Sequence, residues 1–180
     1  MNNTIQPLVS ICCITYNHEN YIRDAFEGFL MQKTNFPIEI VINDDASTDK
    51  TAEIIREYEA KFPDIIKPSY QTENQYSKGV RGIAAKFTFA RARGKYIALC
   101  ECDDYWTDHL KLQKQVDILE KNTECSACFT NAILIDEINN TKRIFAQDLK
   151  EGVLQKKPVI VSGGGIYPTA SLVFKNNLPN

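Results

Sequence analysis

The segment VSICCI, residues 9–14, is a short and almost continuous run of apolar side chains. Such a run is typical of a β-strand that is buried on both faces, as the strands of parallel sheets are. A polar turn follows at residues 15–18, and apolar side chains then recur at helical spacing, at Ile22, Phe26 and Phe29. The segment therefore predicts a buried strand that leads into an amphipathic helix.

Strands and helices alternate in the same way along the rest of the chain. Asn17 is the expected cap of the first helix, and Ser47 or Thr48 that of the second. The alternation predicts an α/β fold, with a Rossmann-like, mainly parallel sheet flanked by helices and a small antiparallel extension near the C-terminus. Further strands are predicted at residues 38–42, 65–70, 96–100, 127–135, 143–146 and 171–174, and further helices around Ile55, at residues 83–93 and at residues 108–121.

Length and composition narrow the class of protein. A chain of 180 residues is long enough for one sizeable core, so we expect residues 1–180 to form a single domain. The net charge of −2 and the lack of a basic stripe argue against a nucleic-acid partner. The chain shows neither a signal peptide nor an apolar run of the roughly 18 to 20 residues that cross a membrane. This predicts a cytoplasmic location and leaves open a peripheral contact with the cytoplasmic face of a membrane.

The six cysteines fall into three close pairs, Cys12 and Cys13, Cys100 and Cys102, and Cys125 and Cys128. Without a secretory signal we expect no disulfide framework. The spacing of the last pair matches half of a zinc site, for which the second pair could supply the other ligands. In the simpler interpretation, each pair packs as small apolar side chains in or beside a strand.

Polar residues directly follow three of the predicted strands. Thr15 and Tyr16 follow the first, residues 44–45 the second and residues 103–104 the fourth. Ligands of open parallel sheets bind at the carboxyl ends of the strands, so we expect these segments to face one crevice. The sequence has neither a G-x-G-x-x-G pattern nor a Walker loop, and its two histidines are too few for a multi-histidine metal site.

Acidic residues dominate these strand ends. Asp103 and Asp104 could ligate Mg²⁺ or Mn²⁺, which favour oxygen ligands and often combine one or two carboxylates with substrate phosphates. Alternatively, they only decorate the start of the helix at residues 108–121, where negative charge is worth about 0.3–1 kcal/mol. The carboxylate of Asp45 suits the imide N–H of uracil or thymine, although Asp is also an ordinary turn residue.

Three stretches taken together, PLVSICCITYN, EIVINDDASTDKT and GKYIALCECDDYWTDHLKLQKQ, resemble the nucleotide-sugar-binding half of family 2 glycosyltransferases with the GT-A fold. Their order and intervals match over residues 7–131. The resemblance implies inverting transfer of a sugar from a nucleoside diphosphate donor, of the UDP or dTDP type, to an acceptor hydroxyl, with Mn²⁺ or Mg²⁺ as cofactor. The implied acceptor is a saccharide or a lipid-linked molecule in cell-surface polysaccharide or glycoconjugate synthesis.

The resemblance also implies roles for single residues. Asp103 and Asp104 correspond to a D-x-D-like pair, in which Asp104 is the metal ligand and Asp103 lies nearer the ribose. Glu101 then has a supporting role, and Lys86 joins Arg81 in facing the diphosphate. The implied nucleotide-binding residues are Thr15, Tyr16, Glu19, Asp45 (at the base), Arg81 and Asp103.

One part of the family's pattern is missing. Family members usually place the catalytic base, an Asp or Glu, downstream of a strand like the one at residues 171–174. Here no carboxylate occurs after Glu151. Asp136, Glu137 and Asp148 are the nearest alternatives, and none of them is favoured.

We therefore expect a chain truncated at its C-terminus, with the base beyond Asn180. It would hold the nucleotide-sugar-binding half and an incomplete acceptor-side portion at residues 132–180, including the glycine loop at residues 163–165. Two other functions stay open. One is a non-catalytic nucleotide-sugar-binding module. The other is a nucleotidyltransferase, which would usually show a glycine-rich, basic loop where this chain reads TYNHEN.

Overall fold

The structure is a computed structural model that describes residues 6–146, 150–154 and 167–177. The strands are β1 (Val9–Thr15), β2 (Ile38–Asp44), β3 (Ile66–Tyr70), β4 (Tyr96–Leu99), β5 (Ala127–Cys128), β6 (Ile133–Asp136), β7 (Thr141–Ile144) and β8 (Val173–Lys175). The helices are α1 (Ile22–Leu30), α2 (Thr51–Lys61), α3 (Ile83–Phe87) and α4 (Lys111–Lys121), and short 3₁₀ turns occur at Phe89–Arg91 and Thr169–Ser171.

Six of the strands form one sheet in the order β3-β2-β1-β4-β8-β5. β1 pairs in parallel with β2 and β4, and β2 in parallel with β3, whereas β8 runs antiparallel to both β4 and β5. β6 and β7 form a separate antiparallel hairpin. The predicted α/β fold with a mainly parallel sheet and a small antiparallel extension is confirmed.

Both faces of the sheet are covered, as the apolar run at the start of the chain predicts. One face of β1, represented by Ile11 and Cys13, packs in the main core with α1, α2 and α4. The other face carries Cys12, which packs with Val41 and Ile97 beneath the 3₁₀ turn at Phe89–Arg91. Six of the seven residues of β1 are buried, so the strand sits at the centre of the fold.

The single helix predicted at residues 83–93 is wrong. α3 ends at Phe87, and Phe89–Arg91 forms a separate 3₁₀ turn. The side chain of Thr88 donates a hydrogen bond to the Ala84 carbonyl (2.7 Å) and the backbone N–H of Thr88 donates to the same oxygen (2.9 Å). Threonine bonding back onto its own helix competes with continuation of that helix.

The long strand predicted at residues 127–135 is also wrong. It divides into β5 in the main sheet and β6 in the hairpin. Asn131 lies between them, and its amide donates to the Ala146 carbonyl (2.7 Å) while its oxygen accepts from Ala132 N–H (3.0 Å). This bonding joins Asn131 to the far end of the hairpin, so the chain turns away from the sheet.

The predicted helix caps are wrong as well. Asn17 has a left-handed backbone (φ 56°) and lies before the first turn of α1, whose N-cap is Tyr21. The N-cap of α2 is Lys50 rather than Ser47 or Thr48. The polar side chains near both helices instead bond to the neighbouring loop, as described below.

α1 packs closely against the backbone at Trp106, and Gly28 makes this approach possible. A Cβ at Gly28 would lie 2.8 Å from the Trp106 nitrogen and 2.9 Å from its oxygen. Gly28→Ala is therefore expected to lower the free energy of unfolding by about 1–3 kcal/mol, although alanine is the better helix former by about 1 kcal/mol. Urea denaturation measures this. Asp24→Ala on the exposed side of α1 is the control, expected within about 0.5 kcal/mol of wild type. A Gly28→Ala protein as stable as wild type contradicts the close approach.

An ionic network around a buried carboxylate lies at the amino ends of the neighbouring strands β2, β1 and β4. The carboxylate of Glu39, 1% exposed, accepts hydrogen bonds from Ser10 Oγ (2.6 Å) and from the backbone N–H of Arg93 (2.8 Å). The Arg93 guanidinium contacts Glu39 Oε2 through Nε (2.8 Å) and Nη2 (2.7 Å). Ser10 Oγ in turn accepts from Gly94 N–H (2.9 Å), so the network fastens β2 to the segment that enters β4.

Among the residues that the structure describes, no helix combines the length and apolar character that crossing a bilayer requires.

Candidate active site

The loops after β1 and β2 are joined into one unit, here called the rim (residues 17–19 and 47–51). Five bonds across the rim join the backbone N–H of one loop to a side-chain oxygen of the other. The pairs are Asn17 N to Ser47 Oγ (2.9 Å), Thr48 N to Asn17 Oδ1 (2.8 Å), His18 N to Thr51 Oγ1 (2.8 Å), Glu19 N to Asp49 Oδ2 (3.0 Å) and Lys50 N to Glu19 Oε2 (2.9 Å). The rim fixes one wall of the crevice at the carboxyl ends of β1 and β2, with the predicted site residue Glu19 in that wall.

Thr15 and Tyr16 lie where β1 enters the crevice. The Thr15 side chain is 3% exposed, and its hydroxyl is buried without a hydrogen-bond partner in the described parts of the chain. A buried hydroxyl left unpaired is costly, so this position favours a ligand that can bond to it. Tyr16 is 43% exposed and offers an aromatic surface at the same place.

Asp45 tethers the loop that follows β3. Its carboxylate is almost completely buried and accepts the backbone N–H groups of Gln75 (2.9 Å) and Tyr76 (3.0 Å). Tyr76 in turn lies beneath Arg81, whose guanidinium carbon is 5.6 Å from the ring centroid. Asp45 thus contacts the loop that carries Arg81, whereas Lys86 lies exposed on α3. A carboxylate offers about four lone-pair positions, so Asp45 keeps acceptor capacity for a further donor.

The acidic cluster lies on the loop after β4, with Glu101, Asp103 and Asp104 all exposed. Asp104 N–H donates to the Glu101 carbonyl (3.1 Å), which folds the loop into a tight turn. Loss of hydration and the charge of Asp103 raise the pKa of Asp104, and loss of hydration together with both aspartates raises the pKa of Glu101. These shifts show that the carboxylates of the cluster repel one another and that burial adds to the cost of their charge.

The helix-start interpretation of the cluster fits the structure less well. α4 begins only at Lys111, and its first turn is served by Asp108, whose carboxylate accepts from Leu110 N–H (2.9 Å) and pairs with Lys114 (2.8 Å). Asp103 and Asp104 lie well before the start of α4. The residues present fit a hard divalent cation, because one or two carboxylates plus ligand phosphates satisfy Mg²⁺ or Mn²⁺. In the described ranges, no three His, Cys, Asp or Glu side chains gather to hold an ion by themselves.

Trp106 connects the acidic loop to the last described segment of the chain. Its indole N–H donates to the Ala170 carbonyl (2.7 Å), and its ring lies 4.1 Å from the ammonium group of Lys111. That ammonium group also donates to Gln115 Oε1 (2.6 Å) and the Ser171 carbonyl (3.3 Å), and burial lowers the pKa of Lys111 to about 8. The acidic loop is therefore held against the 3₁₀ turn at Thr169–Ser171 as well as against α1.

Sequence reasoning missed two neighbours of the cluster. The ring of His18 lies close enough to Asp104 that positive charge on it lowers the pKa of that carboxyl. Tyr21 donates from its hydroxyl to Glu137 (3.0 Å), which raises the pKa of Tyr21 and brings the hairpin β6–β7 to the crevice. Both contacts join segments that are far apart in sequence, so no local spacing signals them.

Several residues that the sequence analysis singled out lie outside the crevice or outside the described residues. The glycine loop at residues 163–165 and Asp148 fall outside the described residues. Asp136 bonds within its own turn, to Asn139. The six cysteines are unbonded thiols, with Cys12, Cys13, Cys100 and Cys102 buried and Cys125 and Cys128 half-buried.

The comparison with protein families is decisive. The family described as Glycosyl transferase family 2 matches residues 10–172. The chain belongs to this family. The family resemblance is thereby confirmed, and the fold is of the GT-A type.

Three proteins are similar to this chain in sequence or in structure. An uncharacterized protein of Mycobacterium tuberculosis is 49% identical over 123 residues, which are 67% of this chain and 34% of that protein. The Escherichia coli UDP-Glc:alpha-D-GlcNAc-diphosphoundecaprenol beta-1,3-glucosyltransferase is 38% identical over 113 residues, 63% of this chain and 41% of that enzyme. The structure of a Pyrobaculum calidifontis mannosyltransferase in complex with GDP-Man and Mn²⁺ is 25% identical, with a TM-score of 0.58 over 68% of this chain and 34% of that one. The family 2 chain spans about a third to a half of the length of the curated relatives it matches.

Proposed function

We propose that this family 2 chain binds the nucleoside diphosphate sugar of a glycosyltransferase that transfers the sugar to an acceptor hydroxyl with inversion. The observation that carries the proposal is that three features occur at one end of the sheet: an acidic loop whose carboxylates repel one another, a Thr15 hydroxyl without a partner in the described ranges, and the Asp45 carboxylate. Together they offer groups for a cation, a polar ligand atom and a base N–H.

Each residue of the site is assigned to one part of the donor. Asp104 holds the divalent cation, with Asp103 beside it nearer the ribose. Asp45 accepts from the imide of a uracil or thymine base, Tyr16 covers the base, and Thr15 and Glu19 line the pocket. Arg81 faces the diphosphate. Mn²⁺ or Mg²⁺, when bound, supplies a Lewis acid that stabilises negative charge on the departing diphosphate.

The acceptor is proposed to be a saccharide or a lipid-linked sugar in polysaccharide or glycoconjugate synthesis. The Escherichia coli relative, a glucosyltransferase named for a diphosphoundecaprenol-linked acceptor, supports this choice. With such an acceptor the enzyme works at the cytoplasmic face of a membrane. The catalytic base is proposed to lie in the acceptor-side part of the full enzyme, beyond Asn180.

Calorimetry and thermal unfolding with UDP, dTDP and GDP test the donor assignment. UDP with Mn²⁺ at about 100 times its dissociation constant is expected to stabilise the chain by about 2.7 kcal/mol, and EDTA is expected to remove most of this gain. Uridine and CDP are matched ligands that lack the diphosphate and the imide, respectively. Equal stabilisation with and without metal contradicts the cation's role, and no stabilisation by any nucleoside diphosphate contradicts the proposal as a whole.

A further inference from the structure

His18 is held rigidly at the edge of the acidic loop. Its backbone N–H donates to Thr51 Oγ1 (2.8 Å), and its carbonyl accepts from the N–H groups of Tyr21 (3.0 Å) and Ile22 (2.9 Å). The left-handed residue Asn17 precedes it and sets the direction of the chain. Since the backbone is fixed on both sides, the position of the imidazole is restricted before any ligand binds.

The two nitrogens of this ring are in different surroundings. Nδ1 is buried and has no hydrogen-bond partner in the described ranges of the chain. Buried N–H groups without an acceptor are rarer than acceptors without a donor, because the unpaired donor loses its only bond. A neutral imidazole carries one proton, so an unprotonated Nδ1 places the N–H on Nε2.

His18 follows β1 and the acidic loop follows β4, its parallel neighbour, so both lie at the same end of the sheet. Cys102 N–H donates to the Ile14 carbonyl (3.3 Å), which holds the acidic loop beside the end of β1, and Asp104 in that loop is the residue assigned to the cation. A cation bound there through one or two carboxylates completes its shell with phosphate oxygens. An N–H donor beside the same carboxylate is therefore placed to reach those oxygens, while the base lies further along the rim toward Asp45.

We propose that the Nε2–H of His18 donates a hydrogen bond to the diphosphate of the bound donor. The inference rests on the proposed function and adds a recognition residue to it. Burial of Nδ1 without an acceptor in the described ranges favours this tautomer, since a proton on Nδ1 would be a buried donor with no partner. His18 thus discriminates nucleoside diphosphates from nucleosides.

Nitrogen-15 NMR of the imidazoles tests the tautomer and the contact directly. The chain has only two histidines, His18 and His109, so the spectrum contains two rings, and His109→Asn assigns them. In its neutral form, His18 is expected as the Nε2–H tautomer. Adding UDP with diamagnetic Mg²⁺ is expected to shift its Nε2 resonance, and inorganic pyrophosphate with Mg²⁺ to do the same. Uridine alone is expected to leave it in place.

Two substitutions separate recognition from packing. His18→Gln keeps an N–H near the position of Nε2, whereas His18→Asn places its amide near Nδ1. His18→Asn is expected to weaken binding of UDP with Mn²⁺ about tenfold or more, as befits a lost hydrogen bond to a charged group, with uridine binding unchanged. His18→Gln is expected to retain most of the affinity. His109→Asn, an exposed site outside the crevice, is the matched control.

Each outcome decides the matter. An Nδ1–H tautomer, or an unmoved His18 resonance while calorimetry shows UDP bound, overturns the inference and leaves the proposed function standing. Equal losses in His18→Gln and His18→Asn, with lowered unfolding temperatures, also overturn it by showing a packing role. Failure of wild type to bind any nucleoside diphosphate overturns both.

Discussion

Asp104→Asn is expected to weaken the binding of UDP in the presence of Mn²⁺ by about 100-fold or more, since even residues behind a metal ligand are worth about 10- to 100-fold. The same substitution is expected to leave the ligand-free fold as stable as wild type or more so. Loss of hydration and the charge of Asp103 already raise the pKa of Asp104, so removing its charge relieves repulsion. Calorimetry with and without Mn²⁺, together with thermal unfolding, measures both effects.

Two neighbouring aspartates provide controls. Asp103→Asn is expected to weaken binding of UDP but to retain its dependence on Mn²⁺, because Asp103 is assigned to the ribose side. Asp108→Asn changes an exposed carboxylate that pairs with Lys114 (2.8 Å) outside the cluster, and affinity should stay within about twofold. Equal affinity of Asp104→Asn and wild type with Mn²⁺ is incompatible with Asp104 as the metal ligand.

Arg93→Ala is expected to lower the free energy of unfolding by about 3–5 kcal/mol, because it leaves the buried carboxylate of Glu39 without its cation. Glu39 is 1% exposed, and the partly exposed Arg93 side chain lies between its carboxylate and the solvent. The Ser10 hydroxyl and the backbone N–H at position 93 still donate to it, but neutral donors do not cancel the charge. Chemical denaturation of the variant and wild type measures the difference.

A second ion pair nearby isolates the role of burial. Lys95 and Glu120 approach equally closely (2.7 Å), yet both side chains are about half exposed. Lys95→Ala should therefore cost no more than about 1 kcal/mol. The double variant Arg93→Ala with Glu39→Gln should recover part of the loss, since it removes the buried charge. Similar costs for Arg93→Ala and Lys95→Ala would show that the Glu39 pair is effectively solvated.

The parts of the fold that sequence reasoning predicted are those that depend on local pattern. A continuous apolar run such as residues 9–14 is buried on both faces wherever the sheet is parallel, so β1 and its central position follow from composition. Strand ends then follow from where the apolar run stops, which is why residues 103–104 could be placed at the crevice. The family resemblance supplied the order in which these segments belong together.

The failures come from side chains that bond over long distances in sequence. Asn17 has the chemistry of a helix cap, but its oxygen is taken by Thr48 in the next loop. Asn131 breaks a plausible strand because it bonds to Ala146 across the hairpin. The tether from Asp45 to its loop arises in the same way. Spacing along the chain contains no information about such partners.

The bonds of the rim also have an evolutionary consequence. Five of them pair a backbone N–H of one loop with a side-chain oxygen of the other, so loss of an acceptor side chain in either loop leaves a backbone N–H of its neighbour without a partner. Neither loop can drift alone without loosening the other. We therefore expect residues 17–19 and 47–51 to vary together among relatives, although some thirty residues separate them in the chain.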